Sequence, residues 1–267
     1  LKISIAQTTS TDDIKANLRM VKDLYLRAVS QKSELVVFPE NTLYFRIQSG
    51  SKLKSAELDG PEFTELKKLI DGSGTSLMLT TSLKSGDKFS NSTVLLNPHE
   101  APSLVYSKIH LFDVDVEGAP PVRESDHFVN GSQPVLIDFR GWKLGLSICY
   151  DLRFPELYLN YAQKADLILV PSAFLVPTGE AHWHVLLRAR AIESQCYVAA
   201  PAQSGEHISH LDSEQVRKTF GHSLIVDPWG RVLEEIASGL DIRTVELSRA
   251  PIEKVRRQIP MKAHRRL

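Results

Sequence analysis

Glu40, Lys108 and Cys149 would form a reactive set if the fold brought them together. A thiol is a nucleophile, a carboxylate can take its proton, and an ammonium can stabilise an oxyanion. Together they equip a site for acyl transfer. Each stands just beyond a run that reads as a strand: Glu40 after residues 35–38 and Pro39, Lys108 after residues 103–107, Cys149 after residues 143–148. Ligands in α/β folds bind beyond the carboxyl ends of strands. Taken singly, each residue has a plainer reading. A Glu or Lys after a strand is usually solvated, and Cys is among the commonest interior residues. The combination raises the functional reading.

Cys149 sits where a strand turns into a helix. Pro155 suits a first helical turn, and Glu156 favours the positive helix start. Such an elbow surrounds the thiol with unpaired N–H groups, which favour a thiolate. An inert buried Cys remains the alternative. Cys196 follows a helix with no base nearby in sequence and reads as a core thiol.

The elements that must position these residues mix β-α-β units with strand meanders. Ile3 and Ile5 mark a first strand. Asp12 or Asp13 can cap a helix whose stripe is Ile14, Leu18, Val21, Tyr25 and Ala28. A second helix runs over 62–70, closed by Gly72 and Gly74. Strands follow at 77–83, 92–96 and 103–107. Residues 111–134 are a long connection with Gly118, Pro120, Pro121, Gly131 and Pro134, a length usually tied to function or disorder. Strands at 135–139 and 143–148, the elbow helix and a strand at 167–170 come next. A helix over 181–195 and a strand at 197–200 follow. Residues 205–219 read as a polar loop. Strands at 223–226, 232–236 and 243–247 precede a short helix at 252–258 and an Arg-rich tail. The helices are too few to cover both faces of every sheet, so two sheets should pack on each other. The expected fold is a four-layer α-β-β-α sandwich with one core, a single domain over 1–267.

Composition sets the limits. The 267 residues are 42% hydrophobic and 24% charged, with zero formal net charge, so an ordinary core is expected and a basic nucleic-acid footprint is not. Two cysteines fit a reducing compartment and do not make a disulfide scaffold. No apolar run reaches the roughly 18 residues of a membrane span, and no signal-peptide layout precedes the first strand. A cytoplasmic location is expected, mitochondrial being the alternative in a eukaryote.

The segments Phe38-Pro39-Glu40, Tyr106 to Asp113 and Cys149 to Glu156 resemble the three signature segments of the nitrilase superfamily of carbon–nitrogen hydrolases. The resemblance continues through Pro171 to Phe174, Ala181-His-Trp183, Arg188 to Glu193, Gly221-His-Ser223 and Asp227-Pro-Trp-Gly230. Within the family the chain looks most like the Nit branch, through Gln195 to Val198 and the ending from Gln258. The resemblance implies the α-β-β-α sandwich and a catalytic set of Glu40, Lys108 and Cys149. It adds a second glutamate on the long connection, Glu124, with Glu117 as the nearby alternative. It implies an amidase that works through a Cys thioester, with no metal or other cofactor. Deaminated glutathione is the implied small-molecule substrate; 2-oxo-acid amides and N-carbamoyl amino acids are the alternatives, and a non-catalytic scaffold of the same fold is the rival outside enzymes. Tyr150, Arg153 and Phe174 are expected at the substrate, Tyr150 through its backbone N–H and Arg153 through a carboxylate, unless Arg153 pairs with Asp151 or Glu156. A homodimer is implied, with the tail and elbow helix at its interface.

His182 and His184 form an H-x-H pair, but residues two apart on a helix point to different faces, so no metal is expected there. Many relatives carry an acidic residue where His184 stands, and some carry Cys where Ser204 stands.

Overall fold

The computed structural model describes residues 1–48, 50–115, 117 and 121–266. The chain opens with strand β1 (Lys2–Gln7), helix α1 (Ile14–Ser30), β2 (Leu35–Val37) and α2 (Pro61–Ser73). Strands β3 (Ser76–Ser85), β4 (Lys88–Leu96) and β5 (Ser103–Ser107) follow. The long connection holds three two-residue strands, β6 (Asp113–Val114), β7 (Val122–Arg123) and β8 (Phe128–Val129), and a 3-10 turn at Glu124–Asp126. Next come β9 (Val135–Phe139), β10 (Trp142–Leu146), a 3-10 turn at Cys149–Arg153, α3 (Pro155–Tyr161), β11 (Leu167–Leu169), α4 (Val176–Ser194) and β12 (Tyr197–Ala200). The last part is β13 (Ser204–Ile208), β14 (Val216–Phe220), β15 (Ser223–Val226), β16 (Val232–Ile236), β17 (Asp241–Glu246), α5 (Ala250–Gln258) and α6 (Met261–His264).

Among the described residues these strands build two main sheets. One runs β17-β1-β2-β3-β4-β5, with β8 beside β4; the other runs β16-β15-β12-β11-β10-β9. The inner strands β1, β2 and β3 are parallel, as are β10, β11 and β12. Side chains alternate across a strand, and the first sheet uses both faces. Leu35 and Val37 join the core shared with the second sheet, while Val36 and Phe38 face the cluster under α1 and α2. Apolar side chains of the second sheet share their cluster with Leu157 and Tyr161 of α3 and with Trp183 and Leu187 of α4. The layering is therefore α-β-β-α. The apolar interior divides into two clusters and not the single core expected, because the first sheet stands between them as a wall.

Several local readings change. Asp13 is the cap of α1, accepting from Lys15 N at 2.9 Å and Ala16 N at 3.2 Å. Asp12 is buried instead, holding Ser209 Oγ at 2.5 Å and His210 N at 2.6 Å. Residues 205–219 are not a plain loop, since β13 and β14 pair antiparallel along five residues each. Their alternation is hidden by polar side chains on a two-stranded ribbon with one small buried face. Helix α4 begins at Val176, five residues before the expected 181. Pro177 fits its first turn, and Gly179 lies inside the helix. The elbow enters a 3-10 turn before α3 starts at Pro155. Residues beyond Pro260 form α6, and Gln195 Nε2 donates to Ile259 O at 2.7 Å, so the tail is tied down. Gly118 and Pro120 lie outside the described residues. Among the described residues no helix is long and apolar enough to cross a membrane.

Candidate active site

Glu40 stands three residues past β2, Lys108 directly after β5, and Cys149 three residues past β10. All three are buried. They meet at one pocket open to solvent. Lys108 Nζ donates to Glu40 Oε1 at 2.9 Å and to Glu124 Oε2 at 2.8 Å. Glu124 starts the 3-10 turn of the long connection, and its Oε2 also accepts Phe112 N at 2.7 Å. Glu117 is exposed. The geometry therefore brings Glu124, and not Glu117, to Lys108.

Asn91, on β4, was not expected here. Its Nδ2 donates to Glu40 Oε1 at 2.7 Å and to Glu124 Oε1 at 3.1 Å, tying the two carboxylates together. Lys108 N donates to Asn91 O at 2.9 Å, so the same residue fixes both side chain and backbone of the cluster. Nothing in the sequence marks Asn91, because a polar residue on a strand normally faces water. Glu40 is held from behind as well: Gln203 Nε2 donates to its carbonyl at 2.8 Å. On the other side Gly131 N donates to Lys108 O at 2.7 Å. A Cβ at residue 131 would lie 2.1 Å from Ser107 O, so only glycine allows this approach.

The elbow explains the position of Cys149. Its φ is +48°, in the left-handed region that side-chain-bearing residues rarely occupy. Such strain costs of order 1–3 kcal/mol and persists only where surroundings enforce it. Here Asp151 enforces it. This fully buried carboxylate accepts Ile148 N at 3.0 Å, Tyr106 OH at 2.7 Å, and both His110 N (2.9 Å) and His110 Nδ1 (2.7 Å). Tyr106 and His110 flank Lys108, so one carboxylate locks the lysine segment to the cysteine elbow. Cys149 N donates to Pro171 O at 3.0 Å and Asp151 N to Ile148 O at 3.0 Å. Between them the Tyr150 N–H finds no acceptor among the described residues, as the donors of a first turn commonly do.

Charges in the cluster are coupled. Burial opposes the Lys108 charge, but Glu124, Glu40 and the cysteine outweigh it, so the ammonium is held well above its ordinary pKa. Burial and then Glu40 push the Cys149 thiol well above its ordinary range, with Lys108 and the Ala173 N–H pulling the other way. Desolvation and a neighbouring carboxylate thus work against the thiolate that the elbow's N–H groups favour. Attack therefore requires a base, and Glu40, which lines the same pocket and raises the thiol's pKa, is the carboxylate beside it. Cys196 is fully buried in the core, its thiol pushed up to about 12 by burial.

Arg153 pairs with neither Asp151 nor Glu156. Its guanidinium lies 5.3 Å from the Phe174 ring centroid and 5.9 Å from that of Tyr150, and Nη1 meets His182 Nδ1 at 3.2 Å. Tyr150, Arg153 and Phe174 thus form a stack beside the elbow, while Ala173 and Leu175 line the pocket itself. His182 and His184 diverge. His184 Nε2 meets Glu235 Oε1 at 2.9 Å, and His222 Nδ1 meets the same oxygen at 2.6 Å. The ligand atoms of His184, His222 and Glu235 lie within 4.8 Å of one another, a grouping that local H-x-H spacing could not reveal. Burial opposes ionisation of Glu235, and the hydrogen bonds from His222 and His184 outweigh it, holding its carboxyl below the ordinary value.

Two facing sheets with a thiol, a carboxylate and an ammonium beyond their strand ends, and a second carboxylate on the long connection, have the equipment of a thiol hydrolase. The carbon–nitrogen hydrolase model matches residues 2–257, and the chain belongs to this family. It is 37% identical over 282 residues to deaminated glutathione amidase of Dictyostelium discoideum, covering 100% of this chain and 94% of that protein. It is 37% identical over 274 residues to deaminated glutathione amidase of Rattus norvegicus, covering 99% and 82%. The crystal structure of the C. elegans NitFhit protein superposes with a TM-score of 0.86 at 32% identity. The match covers 99% of this chain and 65% of that one.

Proposed function

We propose that the protein is an amidase that hydrolyses deaminated glutathione through a thioester on Cys149. The observation that carries this is the buried cluster: Lys108 Nζ bridges Glu40 and Glu124 at 2.9 and 2.8 Å beside a thiol on a left-handed elbow. The relatives' activity supports the choice of substrate.

Glu40 takes the Sγ proton as Cys149 attacks the amide carbon. The carbonyl oxygen becomes an oxyanion between the Lys108 ammonium and the Tyr150 N–H, where a donor is worth roughly 3 kcal/mol. The C–N bond breaks, Glu40 returns the proton to the leaving amine, and the acyl group stays on sulfur. Glu40 then activates water, which cleaves the thioester and restores the thiol. Glu124 and Asn91 hold Lys108 and Glu40 in register throughout. Arg153, beside the elbow, receives one of the substrate's two carboxylates. The enzyme works as a cytoplasmic homodimer, each copy one domain.

Deaminated glutathione, 2-oxoglutaramate and an N-carbamoyl amino acid should be assayed side by side. The expected order puts deaminated glutathione first by at least tenfold in kcat/KM. Cys149→Ala should abolish turnover and the acyl adduct seen by intact mass, while Cys196→Ala keeps both. Turnover by Cys149→Ala would overturn the mechanism; preference for another substrate would overturn the assignment alone.

A further inference from the structure

The pocket wall carries three guanidinium groups, from Arg46, Arg123 and Arg217. Arg123 is exposed, and its Nη1 is used on Val114 O (3.0 Å) and Val122 O (3.0 Å). Arg217 is held differently. It lies on β14, partly buried, with its guanidinium 5.4 Å from the Phe45 ring centroid. Its Nη1 donates to Arg46 O at 2.9 Å. Behind it Phe45 stacks on His207 with centroids 4.3 Å apart and planes 11° apart. His207 is clamped in turn by Ser10 O at 2.7 Å and Thr219 Oγ1 at 2.7 Å. The guanidinium is thus fixed on a rigid stack, and among the described residues no carboxylate pairs with it. Burial and then the neighbouring Arg46 charge push its pKa down, with Glu40 opposing.

A cation held in a pocket wall without an anion is costly unless an anion arrives. The balance of charge points the same way. Two carboxylates, Glu40 and Glu124, face four cations, Lys108, Arg46, Arg123 and Arg217, a surplus of two positive charges along the pocket. Lys108 is occupied by both carboxylates. A planar guanidinium with free N–H groups matches a carboxylate through two parallel hydrogen bonds. We propose that Arg217, with Arg46 beside it, is the receptor for a carboxylate of the substrate and restricts this pocket to anionic amides. The inference rests on the amidase reading and narrows its substrate class. Deaminated glutathione offers such a group at either end, on the acyl side or on the leaving amine.

The test uses the full chain with Arg217→Met and Arg217→Lys, their folds checked by circular dichroism. Glutarate, a dicarboxylate with no scissile bond, is titrated calorimetrically. Arg217→Met should weaken its binding ten- to a hundredfold, the size of a lost charged hydrogen bond. Arg217→Lys should fall between, since it restores the charge but not the fork. Three amides of matched length then carry a carboxylate on the acyl side, on the amine side, or on neither. For Arg217→Met the ratio of kcat/KM on one anionic amide to that on the uncharged amide should drop by a similar factor, and the arm that drops names the end bound. Glutarate that binds Arg217→Met as well as wild type, or does not bind wild type, overturns the proposal. So do equal losses on all three amides. Should wild type cleave none of them, the amidase reading fails, and glutarate binding still decides the receptor.

Discussion

Asn91 does work at the residue scale that no motif announces. Glu40 and Glu124 would repel each other across Lys108, and Nδ2 of Asn91 holds both at 2.7 and 3.1 Å. Its Oδ1 is buried without a partner, so the side chain is oriented for donation alone. Asn91→Leu keeps a similar volume and removes both hydrogen bonds. A charged hydrogen bond is worth about 1.5–3 kcal/mol, so kcat should fall roughly ten- to a hundredfold. KM should change little, because Asn91 acts through Glu40 and Lys108 rather than on substrate. Steady-state kinetics separate the two, and a rise in KM at constant kcat would mean that Asn91 contacts substrate instead. The residues that react were legible in sequence because strand ends and signature segments mark them. Those that hold them were not. Asn91 lies inside a strand, and the Asp151 carboxylate reads as a solvated charge two residues past the cysteine. Only the fold reveals that Asp151 joins the lysine segment to the elbow.

Among the elements, the strands were the most readable and the β13–β14 hairpin the least. Continuous apolar runs such as 35–38 and 167–170, short and ended by Pro39 and Pro171, fit covered strands better than helices. The hairpin hides because its few inward residues are polar or titratable: Ser204, His207 and Thr219 are buried. His207 makes the hairpin sensitive to acid. Burial lowers its pKa from 6.5 to about 4, so the folded state keeps it neutral where the unfolded chain would take a proton. Stability from this group is fully present above about pH 6.5. It declines as pH falls toward 4 and levels off below that, with a slope of roughly 1.4 kcal/mol per pH unit for one proton. Urea unfolding of wild type and His207→Gln between pH 7.5 and pH 4 checks this. The wild-type advantage should shrink with acid, whereas a pH-independent difference would mean that His207 stays neutral in both states. Since Phe45 stacks on His207 and under Arg217, the same acid range should loosen the pocket wall.

For the whole molecule, the outer face of α4 argues for a second copy. A helix apolar on opposite sides is covered on both. Trp183, Leu187 and Ala191 face the core of this chain, while Val185 and Ile192 are 67% and 48% exposed on the other side. Leu159 on α3, and Ile259 and Met261 at the tail, are exposed as well, and α3 packs on α4. The tail itself is anchored within the chain, with Ile259 O held by Gln195 and Met261 beside Ala162 and Gln163 of the elbow helix end. It therefore lies against the ends of α3 and α4 instead of trailing free. The proposed homodimer would bury this face. Val185→Glu places a charge on this face, and burying an unpaired charge costs several kcal/mol. The variant should be monomeric at concentrations where wild type is dimeric, and removal of residues 260–267 should weaken the dimer less, because α4 remains. Light scattering across a dilution series reads both. A dimer unchanged in Val185→Glu would move the interface away from α4, and a monomeric wild type would remove it altogether.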